Sequence, residues 1–222
     1  GTAQGTVFSV TAGSINGACD RQNSTVETYT LDLETLMGSV IDNDKWICDY
    51  SIDFDSIGLS TGYGAIMHIA LTDLARGASN SSESSQDSMG MLFLDQTADA
   101  KFKVGGSNAS GLGASNTAST TDISATTFYI RMIRNYDDIT LEIYSDSGRT
   151  ILTESTTNTI ANVSGLRYFK ISNFYSSVGT WNGTSTFTVD NFSFWNGIST
   201  PNAEGRKVVF TDNAFDGDAV EY

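Results

Sequence analysis

Residues 128–150 read FYIRMIRNYDDITLEIYSDSGRT, and the reading of this stretch decides the fold. Phe128, Ile130 and Met132 alternate with Tyr129, Arg131 and Ile133, a period of two that sets each group on its own face of an extended strand. Asn135-Tyr136-Asp137-Asp138 turns the chain. Ile139, Leu141 and Ile143 then take one face, and Thr140, Glu142 and Tyr144 the other. A second turn, Asp146-Ser147-Gly148, leads into residues 150–153. Alternating runs joined by tight polar turns predict an antiparallel meander.

The same pattern extends outward. In residues 46–57, Tyr50, Ile52 and Phe54 share one face, while Asp49, Ser51, Asp53 and Asp55 form a face expected to be solvated. Residues 65–71 are nearly all apolar, as in a strand covered on both sides, and 89–94 read as a central strand. Further strands are expected at 6–11, 26–33, 101–104, 166–174 and 207–210. In 186–195, Phe187 and Val189 hold one phase while Phe192 and Phe194 hold the other. That shift implies a β-bulge near Asp190-Asn191, or burial on both faces. Residues 15–24 read as turn, and 75–87 and 105–122 as long loops. Leu33, Leu36, Met37 and Val40 have helical spacing, though residues 31–40 read equally well as strand and loop. The expected organisation is an N-terminal extension with an edge strand (1–25), a two-sheet sandwich (26–197), and a C-terminal strand with a tail (198–222). Long loops and many strands favour a sandwich over a small barrel.

Charge narrows the function classes. Lys and Arg number 12 against 26 Asp and Glu, giving a formal charge of -14. Such a surface repels phosphate backbones and anionic lipid, so neither nucleic acid nor a membrane is an expected partner. No apolar run approaches the roughly 20 residues of a membrane span. Charged residues are only 17% of the chain, which leaves Ser, Thr, Asn and Gly to build the surface. That composition suits an extracellular or cell-surface protein facing sugar. The opening Gly1-Thr2-Ala3-Gln4 has neither an initiator Met nor a basic leader, and reads as a mature product or a trimmed stretch. In such a compartment Cys19 and Cys48 are expected to form one disulfide, closing a loop of about 30 residues worth about 3–4 kcal/mol. Two buried free thiols are the alternative. Asn-x-Ser/Thr sequons at Asn23, Asn80, Asn108, Asn162 and Asn182 are glycosylation candidates. A sixth, at Asn191, lies inside a strand-like run and is discounted.

The meander, the segment Leu166-Arg167-Tyr168-Phe169-Lys170-Ile171-Ser172-Asn173 and the closing FTVDNFSFWNG of residues 187–197 resemble concanavalin-A-like, laminin-G-like jelly-roll domains. They look most like those of surface and viral proteins from environmental archaea and bacteria. The resemblance spans residues 26–197. It implies an all-β fold, a two-sheet antiparallel jelly-roll sandwich with short extra terminal strands. It is compatible with lectins, carbohydrate-binding modules, adhesins, glycosidases and structural domains.

Enzyme chemistry finds little support in the residues. Retaining glycosidases need two carboxyl groups about 5 Å apart. Asp49, Asp53 and Asp55 come nearest, but the strand carries no glutamate and lacks the signature of the glycosidases on this fold. His68 is the only histidine and lies in an apolar strand, with no serine set between nucleophile-elbow glycines. No catalytic residue is therefore assigned. Calcium is the one cofactor considered, because hard oxygen ligands cluster at Asp42-Asn43-Asp44, at Asp137-Asp138 and at Asp212, Asp216 and Asp218; none matches an EF-hand. Sugar binding needs an aromatic platform beside planar polar groups. The candidates are Trp181 with Asn182, Tyr136 with Asn135 and Asp137, Tyr175, and Trp195 with Asn196. Trp181, between two glycines in a polar loop, is the strongest of them. The expected function is a non-catalytic module that binds glycan or cell-surface polysaccharide for adhesion. The alternative is a structural subunit of an extracellular filament, sheath or virion, forming homo-oligomers by adding its terminal strands to a neighbour.

Overall fold

The computed structural model of the protein describes residues 2–4, 8–11, 14–20, 27–59, 64–75, 86–96, 99–107, 116–173, 183–200, 206–210 and 219–221. For residues 2–4, 64–66, 94–96, 116–118, 206–210 and 219–221 the description is of backbone. The chain runs through β1 (Thr2–Gln4), β2 (Phe8–Thr11), β3 (Ser14–Asp20), β4 (Thr28–Asp32) and a one-turn helix α1 (Leu33–Met37). It continues with β5 (Lys45–Gly58), β6 (Gly64–Thr72), β7 (Ser88–Gln96), β8 (Asp99–Ser107) and β9 (Asn116–Asp122). The meander follows as β10 (Thr127–Asn135), β11 (Asp138–Tyr144) and β12 (Leu152–Thr159). Last come β13 (Tyr168–Asn173), β14 (Thr184–Asn196), β15 (Arg206–Phe210) and β16 (Ala219–Glu221).

Two antiparallel sheets form. One has seven strands in the order β1-β4-β13-β6-β7-β8-β9, and the other nine, built on β12-β11-β10-β5-β14-β15-β16. β14 has β5 on one side. On the other side its first half, Thr184 to Val189, pairs with β3, and its second half, Ser193 to Asn196, pairs with β15. The register slips between Asp190 and Ser193, where Asn191 sits at φ 55°. This is the bulge that the phase shift predicts, and it turns Phe187, Val189, Phe192 and Phe194 all into the core.

Aromatic pairs join the two sheets across the middle. Tyr50 meets Phe169 at 5.9 Å, Phe54 meets Phe93 at 5.0 Å, Phe102 meets Phe128 at 5.4 Å, and Phe169 meets Phe192 at 4.5 Å. Such contacts add to the area term that drives the sandwich together. Strand β6 is buried on both faces from Met67 to Thr72, as its apolar run predicts.

Four expectations are corrected. Residues 15–24 are not simply turn, because β3 alternates buried Ile15, Gly17 and Cys19 with more exposed Asn16, Ala18 and Asp20. Gly17 is needed there: a Cβ would lie 2.3 Å from the Phe187 ring that crosses it. The loop expected at 105–122 ends in β9, which pairs with β8. The Asp49 face is not solvated throughout, since Asp49 and Ser51 are buried while Asp53 and Asp55 are exposed. Finally, Cys19 and Cys48 are both free and buried. They flank opposite sides of β14, Cys19 opposite Ser185 and Cys48 opposite Phe194, nine residues further along. Roughly 30 Å of strand separates them, where a disulfide tolerates a Cα separation of about 7 Å. The stretch at 31–40 divides between both readings: Leu31 and Asp32 end β4, Leu33–Met37 form α1 with Asp32 Oδ1 accepting from Thr35 N at 3.1 Å, and Gly38 at φ 62° opens the loop that follows.

Candidate functional site

The predicted platform Tyr136, with Asn135 and Asp137, lies at one end of the sandwich, at the tip of the β10–β11 hairpin. Asn135 and Asp138 are the last paired residues, so Tyr136 and Asp137 form a two-residue turn, with Tyr136 at φ 59°. Tight hairpin turns demand positive φ, and a tyrosine accepts it only when the surroundings hold it there. Its N–H donates to Asp44 O at 2.6 Å, and its carbonyl accepts from Arg134 Nε at 3.0 Å. Next to it, Asp137 O accepts from Ile160 N at 2.7 Å. Tyr136 is 56% exposed, the most exposed aromatic residue among those whose side chains are described, and Lys45 Nζ stands 5.0 Å from its ring centroid.

Other loops close around this turn. Asp42 Oδ1 accepts from Asp44 N at 2.7 Å and Lys45 N at 3.1 Å, fixing the 42–44 loop. Asn196 bridges it to the end of β14, accepting from Asp42 N at 2.7 Å and donating to Val40 O at 2.9 Å. Asn43 Oδ1 accepts from Gly165 N at 2.8 Å. The aspartate pairs singled out for calcium, Asp42-Asn43-Asp44 and Asp137-Asp138, therefore meet at the same end as Tyr136. Yet no group of three or more His, Cys, Asp or Glu side chains able to hold a metal ion occurs among the described residues. Trp195 is half-buried, on the strand beside this end. Trp46 is fully buried against Phe194, 6.1 Å between rings.

Trp181, Asn182 and Tyr175 lie outside the described residues, as do Asp212, Asp216 and Asp218 and the sequons at Asn23, Asn80 and Asn108. Asn162 is exposed, at φ 63° in a turn of the same end cluster. The sequence reading missed Arg134, which continues the inward phase of Phe128, Ile130 and Met132. A charged residue at an apolar beat was the available signal.

Two other polar clusters lie on the outer faces of the sheets. On the nine-stranded sheet, Asp49 takes a bidentate pair from Arg131, at 2.8 Å on each oxygen, and Arg149 Nε stands 3.4 Å away. Arg149 also donates to Tyr50 O at 2.9 Å and Ile130 O at 3.2 Å, so the 145–151 connection is strapped to the sheet. Tyr144 donates to Glu142 at 2.6 Å, and burial followed by this bond pushes its phenol up to about 12. On the seven-stranded sheet, His68, Lys170 and Ser172 are buried on the outer side, with Lys170 Nζ donating to Gln86 Oε1 at 2.7 Å. Burial, and then the charge of Lys170, pull the His68 imidazole down to about 3, so it is neutral throughout the physiological range.

No protein-family model matches the chain, and no curated protein matches it. The fold is found among solved structures. The VIP36 exoplasmic/lumenal domain in its Ca2+/Man3GlcNAc-bound form aligns at 9% identity over 92% of this chain and 91% of that one, with a TM-score of 0.58. Alginate lyase A1-II', a member of polysaccharide lyase family-7, aligns at 11% identity over 88% and 85%, with a TM-score of 0.50. A functionally unknown protein from Saccharomyces cerevisiae aligns at 9% identity over 86% and 92%, also at 0.50. At such identities the likeness is one of fold alone. The protein is an all-β, two-sheet antiparallel jelly-roll sandwich with the concanavalin-A-like fold.

Proposed function

We propose that the protein is a non-catalytic, extracellular or cell-surface module that binds glycan. The observation that carries this reading is the exposed Tyr136 ring, anchored at both its backbone N–H and its carbonyl, among Asn43, Asp44, Asn135 and Asp137. A pyranose face stacks on such a ring, and its hydroxyls take the surrounding amides and carboxylates. A ring fixed in advance saves the ordering cost that a mobile one would incur on binding. The glycan-bound state of the VIP36 domain supports the fold as a scaffold for this role. Two observations favour binding over cleavage. The buried Asp49 carboxylate is committed to Arg131 and Arg149, and His68 is too acidic an imidazolium to serve as a base. Among the described residues no group of three or more His, Cys, Asp or Glu side chains could hold a metal ion, and the binding reading rests on Tyr136 and its polar neighbours alone. The terminal strands pair within the chain, β1 on β4 and β15 on β14, so a subunit joined by donated strands has no observation in its favour.

The test is affinity electrophoresis of the native chain in gels containing mannan, laminarin, galactomannan or alginate, run with calcium and with EDTA. A neutral polymer is expected to retard the chain, and Tyr136→Ala to abolish the retardation without lowering the unfolding midpoint. Retardation by none of the four polymers, or retardation that survives Tyr136→Ala, refutes the reading.

A further inference from the structure

Arg134 occupies a position that the strand pattern assigns to an apolar side chain. In β10, Phe128, Ile130 and Met132 point into the core, and Arg134 follows in the same phase at 2% exposure. Its Nε donates to Tyr136 O at 3.0 Å and its Nη2 to Val163 O at 2.7 Å, while Nη1 is buried without a hydrogen-bond partner. Burial holds its pKa below the ordinary arginine value, although the carboxylates of Asp44, Asp137, Asp42 and Asp87 act in the opposite direction. A buried guanidinium with an unpaired nitrogen is an expensive way to fill a core position, since only the bonds it makes offset its desolvation. The core position gains nothing from the charge itself, so the value of an arginine here lies in what its donors hold.

The two bonded carbonyls give a different account. One belongs to the residue that carries the exposed ring, and the other to the 160–165 connection. A planar guanidinium can hold two such acceptors at once, whereas a lysine ammonium has no fixed fork. Tyr136 N–H is already tied to Asp44 O, so the arginine completes the restraint on the opposite side of the same residue. Tyr136 also needs that restraint, because its φ of 59° is one that tyrosine rarely adopts.

We propose that Arg134 is the positioning residue of the glycan platform: its fork locks the Tyr136 turn to the 160–165 connection and sets the ring before a sugar arrives. The inference rests on the reading of Tyr136 as the stacking ring. Arg134 itself does not touch the ligand. Its contribution is to spare the turn from ordering on binding.

Arg134→Met and Arg134→Lys are compared with wild type and with Tyr136→Ala on the four polymers named above, alongside chemical unfolding of each. Arg134→Met, which leaves the Tyr136 and Val163 carbonyls without their donor, is expected to fold with an unfolding midpoint no higher than wild type while weakening retardation about tenfold. Arg134→Lys, which keeps the charge but loses the fork, is expected to weaken it about fivefold and decides the matter if the methionine variant does not fold. A folded Met or Lys variant that binds as wild type, while Tyr136→Ala has lost binding, overturns the role of Arg134 alone. Binding that survives Tyr136→Ala overturns the glycan reading beneath it.

Discussion

Asp49 is the residue whose surroundings the sequence misplaces most. Its alternation with Ser51, Asp53 and Asp55 reads as one solvated face, and the lower half of that face is indeed exposed. The upper half is covered because Arg131, from the neighbouring strand, and Arg149, from a connection a hundred residues away in sequence, converge on one carboxylate. Strand periodicity reports which face a residue takes, not what folds over that face. Removing the carboxylate leaves two nearly buried guanidinium groups facing each other, so Asp49→Ala is expected to cost about 3 kcal/mol in chemical unfolding. A loss under about 0.5 kcal/mol, the size of an exposed pair, would mean that the cluster is solvated after all. The exposed place of Tyr136, by contrast, was legible from the turn residues Asn135, Asp137 and Asp138 around it. What the sequence hid was its anchorage by Asp44 and Arg134, which arrive from other segments.

Elements were legible in proportion to how local their causes are. The bulge in β14 was readable because two pairs of core residues change phase within one run. Strand β3 was not, because its inward beat contains Gly17, whose missing side chain is filled by the Phe187 ring of the strand beside it. Strand β9 was equally hidden, since Thr and Ser carry no hydrophobic signal and its place is fixed at the sheet edges. There Glu154 of β12 accepts from Thr120 N at 2.6 Å, Thr121 N at 2.8 Å and Thr121 Oγ1 at 2.6 Å, joining the edge of one sheet to the edge of the other. Burial opposes the charge on Glu154, but the bonds from Thr121, Thr120 and Thr156 outweigh it and hold the pKa below its ordinary 4.5. A group depressed in the folded state stabilises it above the unfolded pKa, and loses that contribution as the pH falls through the folded one. Glu154→Gln is therefore expected to lower stability by about 1 kcal/mol at pH 7, with the gap to wild type closing below about pH 4. Urea unfolding across pH 3–7 checks this, and a gap that is constant or widens towards acid would exclude the staple.

At the scale of the whole molecule, the sandwich itself was legible, while its closure was not. Alternation and turn chemistry are enough to specify two sheets, but the pairing of Cys19 and Cys48 was misjudged because separation in sequence says nothing about which sides of β14 they occupy. The charge of -14 has a consequence at this scale too. An acidic surface disfavours uronate and sulfated polymers, so the platform is expected to take neutral glycan. Ring-labelled tyrosine makes the central claim directly observable, since the chain has nine tyrosines and Tyr136→Phe identifies the relevant signal. The measurement is a carbon-proton NMR titration of the labelled protein with a neutral oligosaccharide cut from the polymer that retards it most. The expected result is a saturable shift of the Tyr136 ring signal, with Tyr129 and Tyr144 on the outer sheet face unmoved. A titration that moves Tyr129 or Tyr144 and leaves Tyr136 in place would contradict the account and put the sugar on the face of the nine-stranded sheet.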